Sequence, residues 1–320
     1  MKSWKILVLA VSGLSLTACS EQSRSERSRT GATSQSVTAS ATRTLLPWGK
    51  GPAAVGLSAA AKDRPALGPQ SVVADAQGRL LVLDAQNKRV VRVAQGGTEL
   101  TALADVPVDA DEIALGPNGT FAVRRQLSRK VSIFDASGAP VGEVAIPTEA
   151  GDVMHVTLGP SLRVGVETPH QETLSIGSPS APVSIPSMWD GRREGTGQLA
   201  GGRTVQVVKD ERGLFLRVLG QEGDKWAVQK EHKLQGDAGH VAGATGDVAC
   251  LRTEQVSESM QVDRQAVCVR ASTGEVLLKT DLPAPGLYVP RRELVLVNGK
   301  LIHTRPTADG LEIATWEVAR

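Results

Sequence analysis

Aromatic residues are scarce in this 320-residue chain, where they make up 3% of the total and include a single tyrosine. Valine, leucine, isoleucine and alanine must therefore build its core. Almost no stretch keeps a 3.6-residue apolar period, which disfavours a helical or α/β fold. Short apolar runs alternate instead with turns drawn from 33 glycines and 17 prolines, and this pattern favours an all-β domain.

Motifs for common chemistries are also lacking. The chain has no Gly-x-Ser-x-Gly nucleophile elbow, no Walker phosphate loop and no His-Glu-x-x-His pair. Its five histidines show no spacing typical of a metal site. These absences favour a non-catalytic protein, and no cofactor is predicted.

Charge of one sign is not in excess. The chain has 36 basic and 34 acidic residues, and residues 44–320 keep 30 and 32 of them, a formal charge of −2. Proteins that bind nucleic acid through its phosphates need a basic surface. No nucleic-acid partner is therefore expected.

The N-terminus has the features of an export signal. Two lysines precede an apolar segment at residues 6–16, which is shorter than the ~20 residues needed to span a bilayer. The segment ends in Leu16-Thr17-Ala18-Cys19, which resembles the lipobox of bacterial lipoproteins. The resemblance implies a signal peptide over residues 1–18 and a lipid bilayer partner bound through Cys19. An ordinary cleavage site beside an incidental cysteine is the alternative.

Residues 19–43 are predicted to form the lipidated cysteine and a disordered tether. The stretch from Ser20 to Arg43 is rich in Ser, Thr, Arg and Gln and has no apolar period, so it cannot bury enough surface to offset its ordering entropy. In enterobacterial lipoproteins, which the N-terminus resembles, an Asp after the cysteine favours inner-membrane retention. Ser20 stands there in this chain, so the outer membrane is the expected location.

A polar turn between two apolar runs recurs along the rest of the chain. The first copy is Asp75-Ala76-Gln77-Gly78, and similar turns follow at Gly119, Pro160, Gly202, Gly246 and Arg292, in steps of 41, 41, 42, 44 and 46 residues. One four-stranded blade of a β-propeller takes ~40–45 residues. The sequence therefore predicts an all-β, six-bladed β-propeller of four-stranded blades over residues 44–320, with a β-sandwich pair as the alternative.

The predicted blades have approximate bounds, and the pattern leaves open how the ring closes. They are residues 69–105, 111–146, 152–186, 195–234, 239–282 and 286–318. In the last, Leu294–Val297 and Lys300–Thr304 flank Asn298-Gly299, a pair that predicts a type I′ hairpin turn.

Residues 69–93 resemble an NHL repeat. A proline, an apolar strand, an aspartate, a glycine and a second strand lead to Asp84, and Asn87 and Arg89 follow. Later copies lack the aspartate and the asparagine, so the resemblance supports an NHL-like architecture rather than membership. It implies that Asp84, Asn87 and Arg89 brace the turn between adjacent strands. A polar ligand-binding cluster is the alternative, although local backbone hydrogen bonds suffice to explain such residues.

Two cysteines remain for the folded domain. Cys250 and Cys268 lie in the second and third predicted strands of the fifth copy, and their midpoint, residue 259, is also the centre of the polar segment 254–264. The two residues face each other if the strands pair symmetrically, and an oxidising compartment then predicts a disulfide. Two buried free thiols are the alternative if the register differs.

The innermost strands of a propeller line its central channel. Propeller enzymes that resemble lactonases hold a metal there, with carboxylate and amide side chains from different blades. The predicted inner strands offer Ser71, His155, Gln198, His240 and Tyr288, with Asp75 and Glu112 at their ends. This set is short of carboxylates, so no metal is predicted, and His155 and His240 are the only candidate metal ligands.

The sequence thus predicts a non-catalytic lipoprotein of the cell envelope, anchored through Cys19, whose propeller binds or scaffolds a protein or glycan partner. A hydrolase or lyase of the lactonase kind, with a metal in the central channel, is the alternative.

Overall fold

The computed structural model describes residues 40–95 and 97–318, which form six small antiparallel sheets arranged in a ring. This confirms the predicted six-bladed β-propeller. Within these residues the single α-helix is α1 (Ile185–Asp190), which lies between the two last short strands of the third blade. The predicted signal peptide, Cys19 and most of the predicted tether lie outside the described residues.

Strand β1 (Thr42–Leu46) opens the described chain, and blades 1 and 2 follow in chain order. Blade 1 contains β2 (Val72–Ala74), β3 (Leu80–Asp84), β4 (Arg89–Val93) and β5 (Leu100–Asp105). Blade 2 contains β6 (Ala110–Leu115), β7 (Phe121–Arg125), β8 (Lys130–Phe134) and β9 (Pro140–Ala145).

Blades 3 and 4 are less regular. Blade 3 contains β10 (His155–Leu158), β11 (Val164–Glu167), β12 (Glu172–Ser178) and β13 (Ala181–Pro182), and β14 (Arg193–Glu194) also pairs with β12. Blade 4 contains β15 (Gln198–Leu199), β16 (Thr204–Asp210), β17 (Gly213–Glu222) and β18 (Lys225–Leu234). The segment around β15 is innermost: Thr196 bridges Val205 of β16, while β15 itself pairs in parallel with the first strand of blade 5.

Blades 5 and 6 complete the ring. Blade 5 contains β19 (Ala238–Gly246), β20 (Val248–Val256), β21 (Val262–Arg270) and β22 (Val276–Leu282). Blade 6 contains β23 (Leu294–Val297), β24 (Lys300–Pro306) and β25 (Leu311–Glu317).

The ring closes through strand β1. It pairs antiparallel with β25, from Thr42 opposite Thr315 to Leu46 opposite Leu311, and so becomes the outermost strand of blade 6. The predicted end of the tether at residue 43 is therefore wrong, because Thr42 and Arg43 belong to this strand. Backbone pairing with a distant partner determines the conformation there, and the polar local composition does not.

The hairpin predicted at Asn298-Gly299 for the sixth copy is confirmed, but the repeat spacing places its turn too early. This hairpin turns at Asn298-Gly299, where both residues have the positive φ (51° and 75°) of a type I′ turn. The turn predicted near Arg292 is wrong, and the last step of the repeat is 53 residues, from Gly246 to Gly299. Tyr288 precedes the inner strand: it is buried and its hydroxyl donates to the Pro69 carbonyl at 3.1 Å. It is therefore not a channel residue.

Apolar clusters join neighbouring blades with one exception. Among the described residues, a buried apolar cluster lies between blades 1 and 2, 2 and 3, 4 and 5, 5 and 6, and 6 and 1. Blades 3 and 4 meet through polar groups instead. The Gln171 amide exchanges two hydrogen bonds of 2.8 Å with the backbone of Val207, and Thr173 Oγ1 donates to the Gly195 carbonyl at 3.2 Å.

The predicted disulfide is confirmed. Cys250 on β20 lies directly opposite Cys268 on β21, with a Cα–Cα distance of 4.0 Å, and the two sulfurs are bonded. Both residues are fully buried in the apolar cluster between blades 5 and 6. The bond therefore crosslinks the two central strands of blade 5.

Within the described ranges, no helix combines the length and the apolar character needed to cross a bilayer.

Candidate functional site

The central channel of the ring contains a cavity of about 770 Å³. We call it the channel cavity. All six blades line it through their innermost segments, and much of its wall is apolar, including Val73, Ala114, Val156, Ala242 and Val295. We call the end at which the inner hairpins turn the hairpin face, and the opposite end, where the chain passes from one blade to the next, the crossover face.

The channel cavity extends into a cleft between blades 3 and 4. Gly165 and Ser175 of blade 3, Arg193 of β14 and the segment 196–198 line this cleft. Gly165 packs closely on Thr157 in this wall, because a Cβ built at that position would lie 2.5 Å from Thr157 Oγ1. The cleft thus lies at the one described blade junction that lacks an apolar cluster.

Polar groups without partners line the cleft. Thr196 is 6% exposed and its Oγ1 has no hydrogen-bond partner among the described residues, and the buried Oγ of Ser175 has none either. Leaving a buried hydroxyl unpaired costs about 1–3 kcal/mol. Rotation about χ1 would turn either hydroxyl toward the cleft, and a hydrogen bond to a bound polar ligand would then offset that cost.

Two guanidinium groups beside the cleft are also free of acidic partners. Arg193 and Arg163 line the cavity and have no carboxylate within salt-bridge distance in the described part of the chain, whereas the adjacent Arg192 lies 3.1 Å from Glu172. Guanidinium groups bind carboxylates and phosphates through two parallel hydrogen bonds. These two side chains therefore offer anion-binding capacity that the fold itself does not use.

At the crossover face, a buried carboxylate positions two of the cavity-lining side chains. Glu112 of β6 is fully buried, and its Oε1 lies 3.2 Å from His155 Nδ1 and 3.3 Å from an Arg292 nitrogen. Arg124 Nε lies 3.8 Å from the other oxygen. Burial raises the pKa of Glu112, but His155, Arg292 and Arg124 together outweigh it and lower that pKa below its usual value. We call these four residues the Glu112 cluster.

The Glu112–His155 contact determines which nitrogen of a neutral His155 imidazole carries the proton. An ionised carboxylate can only accept, so His155 donates from Nδ1. The Nε2 atom of a neutral His155 is then a lone-pair acceptor. Because His155 lines the channel cavity, the arrangement holds a proton acceptor at its wall.

The two predicted metal-ligand candidates do not form a metal site. His240 lies on β19 and is exposed at its surface. The partial loss of water around its imidazole, with the charges of Arg252 and His155, lowers its pKa. His155 is instead bound to Glu112. Across residues 40–95 and 97–318, no group of three His, Cys, Asp or Glu side chains is placed to hold a metal ion.

The other channel candidates have mostly structural contacts. Ser71 is fully buried and donates to the Ile113 carbonyl at 3.3 Å. Asp75 accepts from the backbone N–H groups of Gln77 and Arg79 at 3.0 and 2.9 Å, which fixes the first inner turn. Gln198 does line the channel cavity.

Asp84, Asn87 and Arg89 lie together, away from the channel cavity. The fully buried Asp84 accepts from Asn87 at 2.8 Å, from Arg89 at 3.1 Å and from the Gly56 N–H at 2.8 Å. Arg89 also donates to the carbonyls of Gly51 and Ala54. The three side chains thus attach the segment that follows β1 to blade 1.

A second buried charge cluster lies between blades 5 and 6. Glu293 accepts from Arg252 at 3.0 Å, from Arg264, and from His303 at 3.2 Å. Burial raises its pKa, but the hydrogen bonds and charges of His303 and Arg264 outweigh that effect and lower it to about 2. We call these four residues the Glu293 cluster. None of them lines the channel cavity.

Sequence reasoning missed the residues that make the cleft polar. Arg193, Thr196, Ser175 and Arg163 belong to no motif, and Arg292 was assigned to a turn. No local signal marks them, because only the junction of blades 3 and 4 brings them together.

Comparison with known proteins assigns the chain no family and no function. No protein-family model matches the chain, and no curated protein matches its sequence. Hydrazine synthase from Kuenenia stuttgartiensis is similar in structure, with 13% identity over 78% of this chain and 79% of that chain and a TM-score of 0.43. A catalytically inactive virginiamycin B lyase from Staphylococcus aureus has 10% identity over 87% and 88% of the two chains and a TM-score of 0.41. A Bacteroides caccae protein of unknown function has 12% identity over 67% and 81%, and a TM-score of 0.45. No functional residue is carried over from them.

Proposed function

We propose that this chain is a lipid-anchored lipoprotein of the cell envelope whose NHL-like propeller binds a glycan in the channel cavity. The observation that carries the proposal is the cleft between blades 3 and 4, where unpartnered hydroxyl and guanidinium groups replace an apolar junction. The bound state would satisfy groups that the fold leaves unsatisfied. In this role the propeller binds its ligand without transforming it.

The shape of the site favours a glycan over a folded protein partner. Cavities of ~300–1,000 Å³ are typical of sites for small molecules, and the channel cavity, at about 770 Å³, is of that size. A glycan chain has the slender shape and the hydroxyl groups that such a cavity accepts. A folded protein would instead contact a broad surface.

Anchoring rests on the N-terminal sequence. Lipidation at Cys19 predicts that the chain sediments with outer membranes and incorporates labelled palmitate. The variant Cys19→Ala should lose the label and leave the membrane fraction. A labelled Cys19→Ala chain, or an unlabelled natural chain, would contradict the proposal.

Glycan binding is tested by calorimetry on the full chain in detergent, titrated with oligosaccharides from envelope polymers. Combining Thr196→Val with Ser175→Ala should weaken binding about thirtyfold, since each of the two hydrogen bonds contributes ~1 kcal/mol. Thr101→Val is the matched control, because this exposed threonine lies on the outer strand of blade 1. If no oligosaccharide binds, or if the control variant loses as much affinity, the proposal is wrong.

The Glu112–His155 pair favours a second candidate function. A carboxylate that fixes Nδ1 leaves Nε2 free to act as a general base toward a ligand in the cavity, as a hydrolase or lyase would require. Incubation with the bound glycan, followed by mass spectrometry, would detect cleaved products. His155→Ala should then abolish cleavage and retain binding. Unchanged glycan after long incubation would exclude this second function for that ligand.

A further inference from the structure

We infer that the ligand of the channel cavity is an acidic oligosaccharide, whose carboxylates bind the free guanidinium groups of the cleft. The inference rests on the proposed function and specifies its glycan by charge and length.

The charge around the cavity is positive although that of the domain is not. Three arginines line the cavity, Arg163, Arg193 and Arg292, with one carboxylate, Glu167. Glu112, which contacts Arg292 and His155, adds a second negative charge and leaves a net charge of +1 with His155 neutral. Residues 44–320 as a whole have a formal charge of −2. A concave site with low-dielectric walls focuses such a local field and favours an anionic ligand.

The free guanidinium groups lie at different levels of the cleft. Arg193 pairs across the sheet with Thr173, which pairs with Glu167 near the crossover face. Arg163 precedes β11 at the hairpin face. Four residues separate Arg163 from Glu167 along this strand, or ~13 Å at ~3.3 Å per residue. An oligomer with repeated carboxylates matches this separation of the two backbone positions better than a single acidic sugar does.

The remaining lining groups suit the hydroxyls of such a ligand. Glu167 is the one carboxylate in the cavity wall and lies 3.4 Å from the Gly197 N–H. Its oxygens can accept hydrogen bonds from sugar hydroxyls, as can the unpartnered oxygens of Thr196 and Ser175. The cavity lining contains no aromatic ring. Recognition must therefore come from charge and hydrogen bonds rather than from stacking.

Charge recognition also predicts a dependence on salt. Screening shortens the range of interactions between exposed charges, from about 30 Å at 0.01 M to about 8 Å at 0.15 M ionic strength. The affinity for an acidic oligomer should therefore fall as salt rises, and the affinity for a neutral oligomer should stay nearly constant.

The experiment is calorimetric titration of the full chain with tri-galacturonate, the galacturonate monomer and neutral galactotriose, each at low and physiological salt. Tri-galacturonate should bind at least about tenfold more tightly than either of the others, because charged hydrogen bonds are roughly twice as strong as neutral ones. Arg193→Gln and Arg163→Gln should each remove about tenfold of that affinity and weaken galactotriose binding much less, because a neutral sugar loses only a weaker hydrogen bond.

Two further variants keep the test informative. Arg212→Gln is the matched control, since Arg212 is exposed and pairs with Asp210 in blade 4. Arg193→Lys retains the charge without the planar fork, so intermediate affinity is expected. It also replaces Arg193→Gln if that variant fails to fold.

The outcomes separate this inference from the proposed function. Equal affinities for galactotriose and tri-galacturonate, or Arg193 and Arg163 variants that bind like the natural chain, would overturn the acidic ligand and leave glycan binding standing. Equal affinities for the monomer and the trimer would overturn the two-point contact. No binding of any of these sugars or of the envelope oligosaccharides would overturn the proposed function itself.

Discussion

The Glu112 and Glu293 clusters have the same composition, one glutamate with one histidine and two arginines, but the two glutamates are bonded differently. Both oxygens of Glu293 accept hydrogen bonds, one from His303 and the other from Arg252 and Arg264. In the Glu112 cluster, His155 and Arg292 both bind Oε1, and Oε2 has no hydrogen-bond partner among the described residues. The carboxylate of Glu293 is thus saturated with hydrogen bonds by the fold, and that of Glu112 is not.

The surroundings explain the difference. The Glu293 cluster lies at a junction packed with apolar side chains, and the disulfide Cys250–Cys268 within blade 5 is part of that apolar cluster. His155 and Arg292 of the Glu112 cluster instead line the channel cavity. We therefore expect the junction of blades 5 and 6 to contribute stability and the channel beside blades 3 and 4 to be the site of the proposed ligand binding.

The largest expected effect comes from Glu293→Gln. Removing one partner of a buried ion pair costs about 3–5 kcal/mol, because the remaining charges stay buried without compensation. Glu112→Gln should cost less, about 1–3 kcal/mol, since Arg292 and His155 can be solvated from the cavity. Urea unfolding of both variants measures the difference. Equal losses would show that the two clusters contribute alike and would remove the distinction.

The disulfide belongs to the same stabilising junction. Replacing Cys250 and Cys268 together by alanine should lower the free energy of unfolding by ~3 kcal/mol, the chain-entropy value for a loop closed over a sequence separation of 18. Glycan binding should be unchanged, because neither residue lines the channel cavity. If the double variant kept its stability but no longer bound the glycan, the junction of blades 5 and 6 would contribute to ligand binding rather than to stability.

Acid should destabilise the Glu293 cluster over a defined range. The pKa of Glu293 falls from 4.5 to about 2 on folding, so the ionised carboxylate stabilises the fold above pH 4.5. That contribution is lost as the pH falls from 4.5 toward 2, and is worth about 2–3 kcal/mol at most. Unfolding measured at pH 7, 4 and 3 should show a steeper decline for the natural chain than for Glu293→Gln. Parallel declines would mean that another carboxylate dominates.

The architecture was predictable because its signals are local and repeated. Each inner hairpin has its own turn and its own apolar runs. The Asn298-Gly299 pair identifies the sixth hairpin, although the repeat spacing places the turn of that hairpin too early. The closing strand was not predictable from such signals. Thr42 and Arg43 have a polar local sequence, and their partners Thr315 and Ala314 lie at the other end of the chain.

The candidate site was predictable only in part. His155 and Gln198 follow from their positions on inner strands, and both line the cavity. Arg193 and Thr196 lie in an irregular segment before β15, where no period applies. The cleft exists because the facing sides of blades 3 and 4 meet without apolar side chains. Neither segment shows this in its own sequence, since the cleft forms only where the two segments come together.

The smallest expected effect distinguishes a hydroxyl kept for a ligand from one used by the fold. Thr196→Val replaces an unpartnered hydroxyl by a methyl group of similar shape, so stability should be unchanged or rise by up to ~1 kcal/mol. Thr173→Val removes the hydrogen bond to the Gly195 carbonyl at the same junction, and should cost ~1 kcal/mol. Thermal unfolding with and without the bound glycan measures both. If Thr196→Val destabilised the free protein as much as Thr173→Val does, its hydroxyl would have a structural partner, and the cleft would lose its strongest evidence of a ligand.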